Sequence, residues 1–125
     1  MYKFKIGKTT NKYFNTKTKG ADSKIEIKRL GELQYLERQG LIKDIQKQPS
    51  FVLQEGFKYK TDKRAEISIK YTADFQYFDV EKNKIIIEEL KSSYTRKLAD
   101  YSIRKRLFKY SIKDRNDIEF VEIIY

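Results

Sequence analysis

The alternation of apolar and polar positions divides the chain into helical and extended stretches. Residues 2 to 6, YKFKI, alternate and predict a short strand. Residues 7 to 22 carry Lys8, Lys12, Lys17 and Lys19 with no acid before Asp22, and read as a basic arm or a tail without fixed structure. From Ser23 to Gln39, the residues Ile27, Leu30, Leu33 and Leu36 form a slowly turning helical stripe. Ser23 with Glu26 has the spacing of a capping box, and Gly40 is placed to end the helix. Leu41 to Gln48 predicts a strand that stops at Pro49, and Phe51 to Glu55 a second. A basic loop, GFKYKTDKR, follows. ISIKYTADFQYFDV, residues 67 to 80, predicts one long extended segment rich in β-branched and aromatic residues. A polar turn over 81 to 84 leads into a strand from Ile85 to Lys91, which the flanking runs pair back as a hairpin.

Thr95 is placed to cap a second helix running to about Tyr110. Leu98, Tyr101 and Phe108 lie on one side of it and Ile103, Leu107 and Tyr110 on another, which predicts a helix covered on both faces, with a second subunit as the candidate cover. IEFVEIIY, residues 118 to 125, is a last strand. The order of helix, strands, helix and strand gives a mixed α/β class.

With 125 residues the chain makes one domain, residues 1 to 125, of which 1 to 22 are the N-terminal strand and arm. No apolar run approaches the roughly 20 residues of a membrane-spanning helix. The first ten residues, MYKFKIGKTT, lack the apolar core of a secretory signal, so a cytoplasmic chain is expected. Absence of Cys removes disulfides and thiolate zinc sites, and absence of His removes histidine bases, Ser-His-Asp triads and histidine-bound zinc. Any catalysis falls to Asp, Glu, Lys, Tyr, Ser or Thr with an oxygen-seeking cation. The formal charge of +10 points to a polyanion, nucleic acid first, against a basic surface with no dedicated partner. Lys17 and Lys19 in the arm, and Arg96, Lys97, Arg104 and Lys105 on the second helix, are candidate phosphate contacts. The alternative for the helix cations is a solvated face.

An acid-x-Lys pattern occurs three times, at Asp22, Glu26 and Glu89, and only Glu89-Leu90-Lys91 lies in an apolar strand. Alternation puts Glu89 and Lys91 on one face with Ile85 and Ile87, and turns Glu88 the other way. A hairpin centred between residues 81 and 83 brings Asp74 opposite some residue from 88 to 92. Two carboxylates and a lysine then converge. Mg²⁺ suits such a pair, because it is held by one or two carboxylates with water and phosphate oxygens. The alternative is a structural Asp74–Lys91 salt bridge with Glu89 solvated at the strand end.

DSKIE on the first helix, TADF on one strand, EELK on the next and a basic helix after it together resemble the PD-(D/E)XK nuclease superfamily. The similarity is strongest to small phage-type nucleases of the Holliday junction resolvase-like group. It covers roughly residues 21 to 110, with RLGELQYLERQGLIKDIQKQP, YTADFQYFD and RKRLFKY as its longer matches. The resemblance implies a restriction-endonuclease-like αβββαβ core, with a mixed central sheet flanked by helices. It also implies a Mg²⁺-dependent endodeoxyribonuclease in which Mn²⁺ substitutes, acting on branched DNA as a homodimer. Position by position, Asp74 and Glu89 become metal ligands, Lys91 the catalytic lysine, and Glu26 the helix glutamate that completes the site. Gln48 resembles a glutamine found near the site in some members. Ala73 replaces the usual proline, and Lys91 is followed by Ser92 where glycine is common. The rival expectations are a non-catalytic nucleic-acid-binding module on the same fold, and an RNA-directed nuclease.

Overall fold

The protein is seen in a computed structural model that describes residues 21–125, with side chains from Lys24 onward. The strand expected at 2 to 6 and the arm lysines Lys8, Lys12, Lys17 and Lys19 lie outside the described residues. The elements are α1 (Ala21–Arg38), β1 (Ile42–Lys47), β2 (Ser50–Gln54), β3 (Ile69–Thr72), β4 (Phe75–Asp79), β5 (Lys84–Lys91), α2 (Ala99–Ile112) and β6 (Ile118–Ile124), with a 3₁₀ turn at Thr95–Lys97. Four strands form one sheet in the order β1-β4-β5-β6, and β2 and β3 form a separate hairpin. β1, β4 and β5 pair antiparallel, whereas β5 and β6 pair parallel across the α2 crossover, so the sheet is mixed. With the hairpin set aside, the order is α1-β1-β4-β5-α2-β6.

Alternation along β5 sorts the core into two layers. Ile86 and Leu90 join Leu33, Ile42, Phe75 and Tyr77 in the layer beneath α1. Ile87 points to the other face and joins Phe51, Tyr71, Tyr101, Phe108, Ile112 and Ile118 beneath α2 and the hairpin. Phe108 sits at the centre of that second layer, with its ring centroid 4.7 Å from Phe51 and 4.9 Å from Tyr71.

Several boundaries differ from the sequence expectation, each for a local reason. The long segment 67 to 80 is two strands in two sheets. Ala73 donates its N–H to the Pro49 carbonyl on the hairpin side, and Asp74 donates to the Glu88 carbonyl in the main sheet. The chain therefore changes sheets at the residue that carries the candidate ligand. Ser23 lies within α1, which starts at Ala21, so the capping-box reading of Ser23 and Glu26 does not hold. Thr95 opens the 3₁₀ turn and not α2, and its N–H and hydroxyl are both tied to Ser92. On α2, Tyr101, Phe108 and Ile112 are buried, while Ile103, Leu107 and Tyr110 are exposed in the single chain. The turn before β5 needs no glycine, because Asn83 takes the left-handed conformation at φ 57° and Asp79 accepts the Lys82 N–H at 3.0 Å.

α1 is fastened to the sheet by charge as well as by Leu33. Glu88, 0% exposed, takes both oxygens to Arg29, each at 2.7 Å, and accepts the Tyr77 hydroxyl at 2.9 Å. Removing one partner of a buried pair strands the other charge. Arg29→Ala is therefore expected to lower stability by roughly 3 kcal/mol, and adding Glu88→Leu to recover most of it. Urea denaturation of the two variants checks this; equal losses would mean the pair does not hold the helix.

Candidate active site

The antiparallel register pairs Phe75 with Glu88, so the next step along the ladder brings Asp74 up to Glu89. This falls within the range the hairpin spacing allowed. Asp74 Oδ2 accepts the Leu90 N–H at 2.7 Å, and the Asp74 carbonyl accepts the Gln48 N–H at 2.8 Å. Gln48 takes the left-handed conformation at φ 53° and is held to the site through its backbone. Glu89 is 3% exposed. It accepts the Tyr71 hydroxyl at 2.5 Å on one oxygen, and the Lys91 ammonium lies 3.5 Å from the other. The same ammonium sits 4.6 Å above the Tyr101 ring.

Glu26, Asp74, Leu90, Lys91, Thr95 and Tyr125 line a cavity of about 90 Å³, room for a few water molecules. It opens where the parallel strands β5 and β6 end, and Tyr125 closes their ladder by donating its N–H to the Lys91 carbonyl at 3.0 Å. Ligands of α/β sheets commonly bind at the carboxyl ends of strands. The structure thus brings Glu26, Asp74 and Lys91 to one cavity. Glu89 lies behind them, touching Asp74 and Lys91 without lining it.

Charge is unevenly matched here. Burial, and then the charge of Asp74, push the Glu89 carboxyl up to about 8. Burial also raises Asp74, offset by the Leu90 N–H and by a hydrogen bond with Glu89. The two carboxyls therefore titrate as one coupled pair that favours holding a shared proton. Lys91 supplies one positive charge to a pair that would carry two negative ones.

Sequence reasoning missed Tyr71, Tyr101 and Glu122. Glu122 on β6 is the ladder neighbour of Glu89. Burial disfavours its charge, but the Tyr101 hydroxyl and Lys105 outweigh this and hold its carboxyl below the usual range. Lys105 Nζ lies 3.1 Å and Arg96 Nε 3.3 Å from Glu122. Arg104 donates to the Lys70 carbonyl at 2.9 Å. Three of the four expected phosphate contacts on and before α2 are thus engaged within the chain, and Lys97 remains exposed with Arg106. Alternation in IEFVEII already put Glu122 on the face of Ile118 and Phe120, which was the available signal.

Among the described residues, no three His, Cys, Asp or Glu side chains are disposed to hold one ion, so Glu26, Asp74 and Glu89 do not form a closed ligand set. A divalent magnesium needs fewer: one or two carboxylates, with water and substrate oxygens for the rest. The Asp74–Glu89 pair, short of positive charge, fits that requirement.

Both raised carboxyls make stability depend on pH in a stated direction. Folded Glu89 keeps its proton up to about 8, whereas an unfolded glutamate loses it near about 4.3. The stabilisation is complete below the unfolded value and is lost as pH rises through the folded one. Denaturation midpoints are expected to fall between about pH 5 and pH 8, with a shallower fall in Glu89→Gln. A flat profile, or one that Glu89→Gln leaves unchanged, would contradict the shared proton.

No curated protein and no solved structure matches the chain. A family model matches residues 6–122, and the chain belongs to that family, described as a protein of unknown function (DUF1064).

Proposed function

We propose that the protein is a Mg²⁺-dependent endodeoxyribonuclease of PD-(D/E)XK type, selective for branched DNA and acting as a homodimer. The observation that carries this reading is the meeting of Asp74, Glu89 and Lys91 where β5 and β6 end, at a cavity lined by Glu26, Asp74 and Lys91 with Glu89 directly behind them. The strand order with the hairpin set aside is compatible with the restriction-endonuclease-like core. Branch selectivity and Mn²⁺ substitution rest on the sequence resemblance. The dimer is supported by the exposed Ile103, Leu107 and Tyr110 on α2.

Asp74 and Glu89 would hold the metal, with Glu26 across the cavity. Bound there, Mg²⁺ supplies Lewis acidity toward a phosphoryl oxygen and acidifies water. The remaining work belongs to the chain. Lys91, held between Glu89 and the Tyr101 ring, would donate to the attacking water or to a phosphate oxygen that gains charge. Tyr71 fixes the Glu89 carboxyl, and Leu90 N–H fixes Asp74. Exposed Lys97 and Arg106 are available to phosphates, contacts that position DNA without reading sequence. The second reading, a binding module without catalysis, is favoured by the burial of Glu89, which does not line the cavity.

The two readings separate on one gel. A four-way junction, a linear duplex and a single strand are incubated with the protein in Mg²⁺ or EDTA, beside Asp74→Ala and Lys91→Gln. The nuclease reading expects Mg²⁺-dependent cutting of the junction, abolished in Asp74→Ala. Lys91→Gln is expected to reduce it by about 10²-fold or more, the loss typical of removing one donor to developing charge. Binding without cleavage of any substrate would leave the binding module.

A further inference from the structure

The hairpin loop between β2 and β3 carries an arrangement that the catalytic reading does not use. Phe57, Tyr59 and Ile67 are 45%, 52% and 85% exposed, a concentration of apolar surface on a stretch that is otherwise basic. Lys58, Lys60, Lys63 and Arg64 are all exposed, with Asp62 the one acid between Phe57 and Ala65. Among the described residues no ion pair is formed by these four cations, and Lys60 lies 5.9 Å from the Tyr59 ring centroid.

The loop is nonetheless built. Phe57 and Glu66 exchange both backbone hydrogen bonds, and Asp62 N–H closes a turn onto the Tyr59 carbonyl at 2.8 Å. Gly56 lets the arms approach, since a Cβ there would meet the Glu66 carbonyl oxygen at 3.0 Å. The rings are thus presented by a braced backbone, which reduces the ordering needed on binding. Phe57 sits at the bridge and Tyr59 at the start of the turn, with Lys58 between the two rings.

Position ties the loop to the site. The hairpin begins beside Asp74, through the Ala73–Pro49 hydrogen bond, and its ladder runs away from there to Gln54 and Ile69. At about 3.4 Å per residue, the Phe57–Glu66 bridge lies up to roughly 27 Å from Asp74, or about eight base steps along a duplex. Alternating cations and exposed rings match a nucleic-acid strand whose bases are free to stack, because phosphates need the charge and unpaired bases offer the face.

We propose that the β2–β3 loop is a second nucleic-acid subsite, where Phe57 and Tyr59 stack on unpaired or splayed bases while Lys58, Lys60, Lys63 and Arg64 hold the flanking phosphates. This rests on the nuclease reading for its biological substrate, but the subsite is tested without cleavage. In EDTA, the full-length protein is titrated into a four-way junction carrying 2-aminopurine at the crossover, and into a linear duplex carrying it internally. The variants are Phe57→Ala with Tyr59→Ala, and the ring-preserving Phe57→Tyr with Tyr59→Phe.

The wild type is expected to change the crossover fluorescence. The alanine pair loses that change and binds the junction roughly tenfold or more weakly, with duplex binding within about threefold of the wild type. The ring-preserving pair behaves as the wild type. An alanine pair that binds the junction normally, as it would if the loop served a protein partner, overturns the proposal; so does equal weakening on all DNA. Loss of junction binding in the alanine pair, from a wild type that cuts nothing in Mg²⁺, sinks the nuclease and keeps the subsite. Cutting with unchanged junction binding does the reverse.

Discussion

Two consecutive glutamates are buried on the central strand, and the structure treats them oppositely. Glu88 turns toward α1 and meets a guanidinium with both oxygens. Glu89 turns toward α2 and meets a tyrosine hydroxyl, one shared ammonium and a second carboxyl. Burying a carboxyl is costly unless it is paired or neutralised. The first residue is neutralised from within the chain; the second is neutralised by keeping its proton. A protonated, crowded carboxyl is a poor way to stabilise a fold and a suitable way to leave room for a cation.

The two arrangements depend on each other. Arg29 fastens α1 across the sheet, and Glu26 lies about one turn earlier on the same side, which carries it to the cavity. On the opposite face, Tyr101 serves twice: its hydroxyl donates to Glu122 and its ring lies under Lys91. Lys105 and Arg96 complete the charge of Glu122, so β6 brings an acid beside Glu89 without deepening the local deficit. Both ends of the crossover are therefore committed to shaping one strand end.

Much of this was legible in the chain. Alternation alone sent Glu88 and Glu89 to opposite faces, and the length of the polar turn placed Asp74 beside Glu89 within a few residues. The break at Ala73–Asp74 was not legible, because a run of β-branched and aromatic residues reads the same whether it stays in one sheet or crosses to another. The partners of Arg96, Arg104 and Lys105 were hidden for a different reason. Local charge counts made them free cations, whereas Glu122 and the Lys70 carbonyl reach them only through the α2 crossover and the hairpin. Ser23 and Thr95 show the limit of capping signals: both have the right side chain, and each helix starts at another residue.

The candidate site turns on a carboxyl pair short of one positive charge. Calorimetric titration of Mg²⁺ into the full-length protein at pH 7, in two buffers of different ionisation enthalpy, tests it most directly. Because metal binding displaces protons from its ligands, saturable binding with release of about one proton is predicted, both lost in Asp74→Ala. Saturable binding without proton release, or no binding that Asp74→Ala alters, would contradict it.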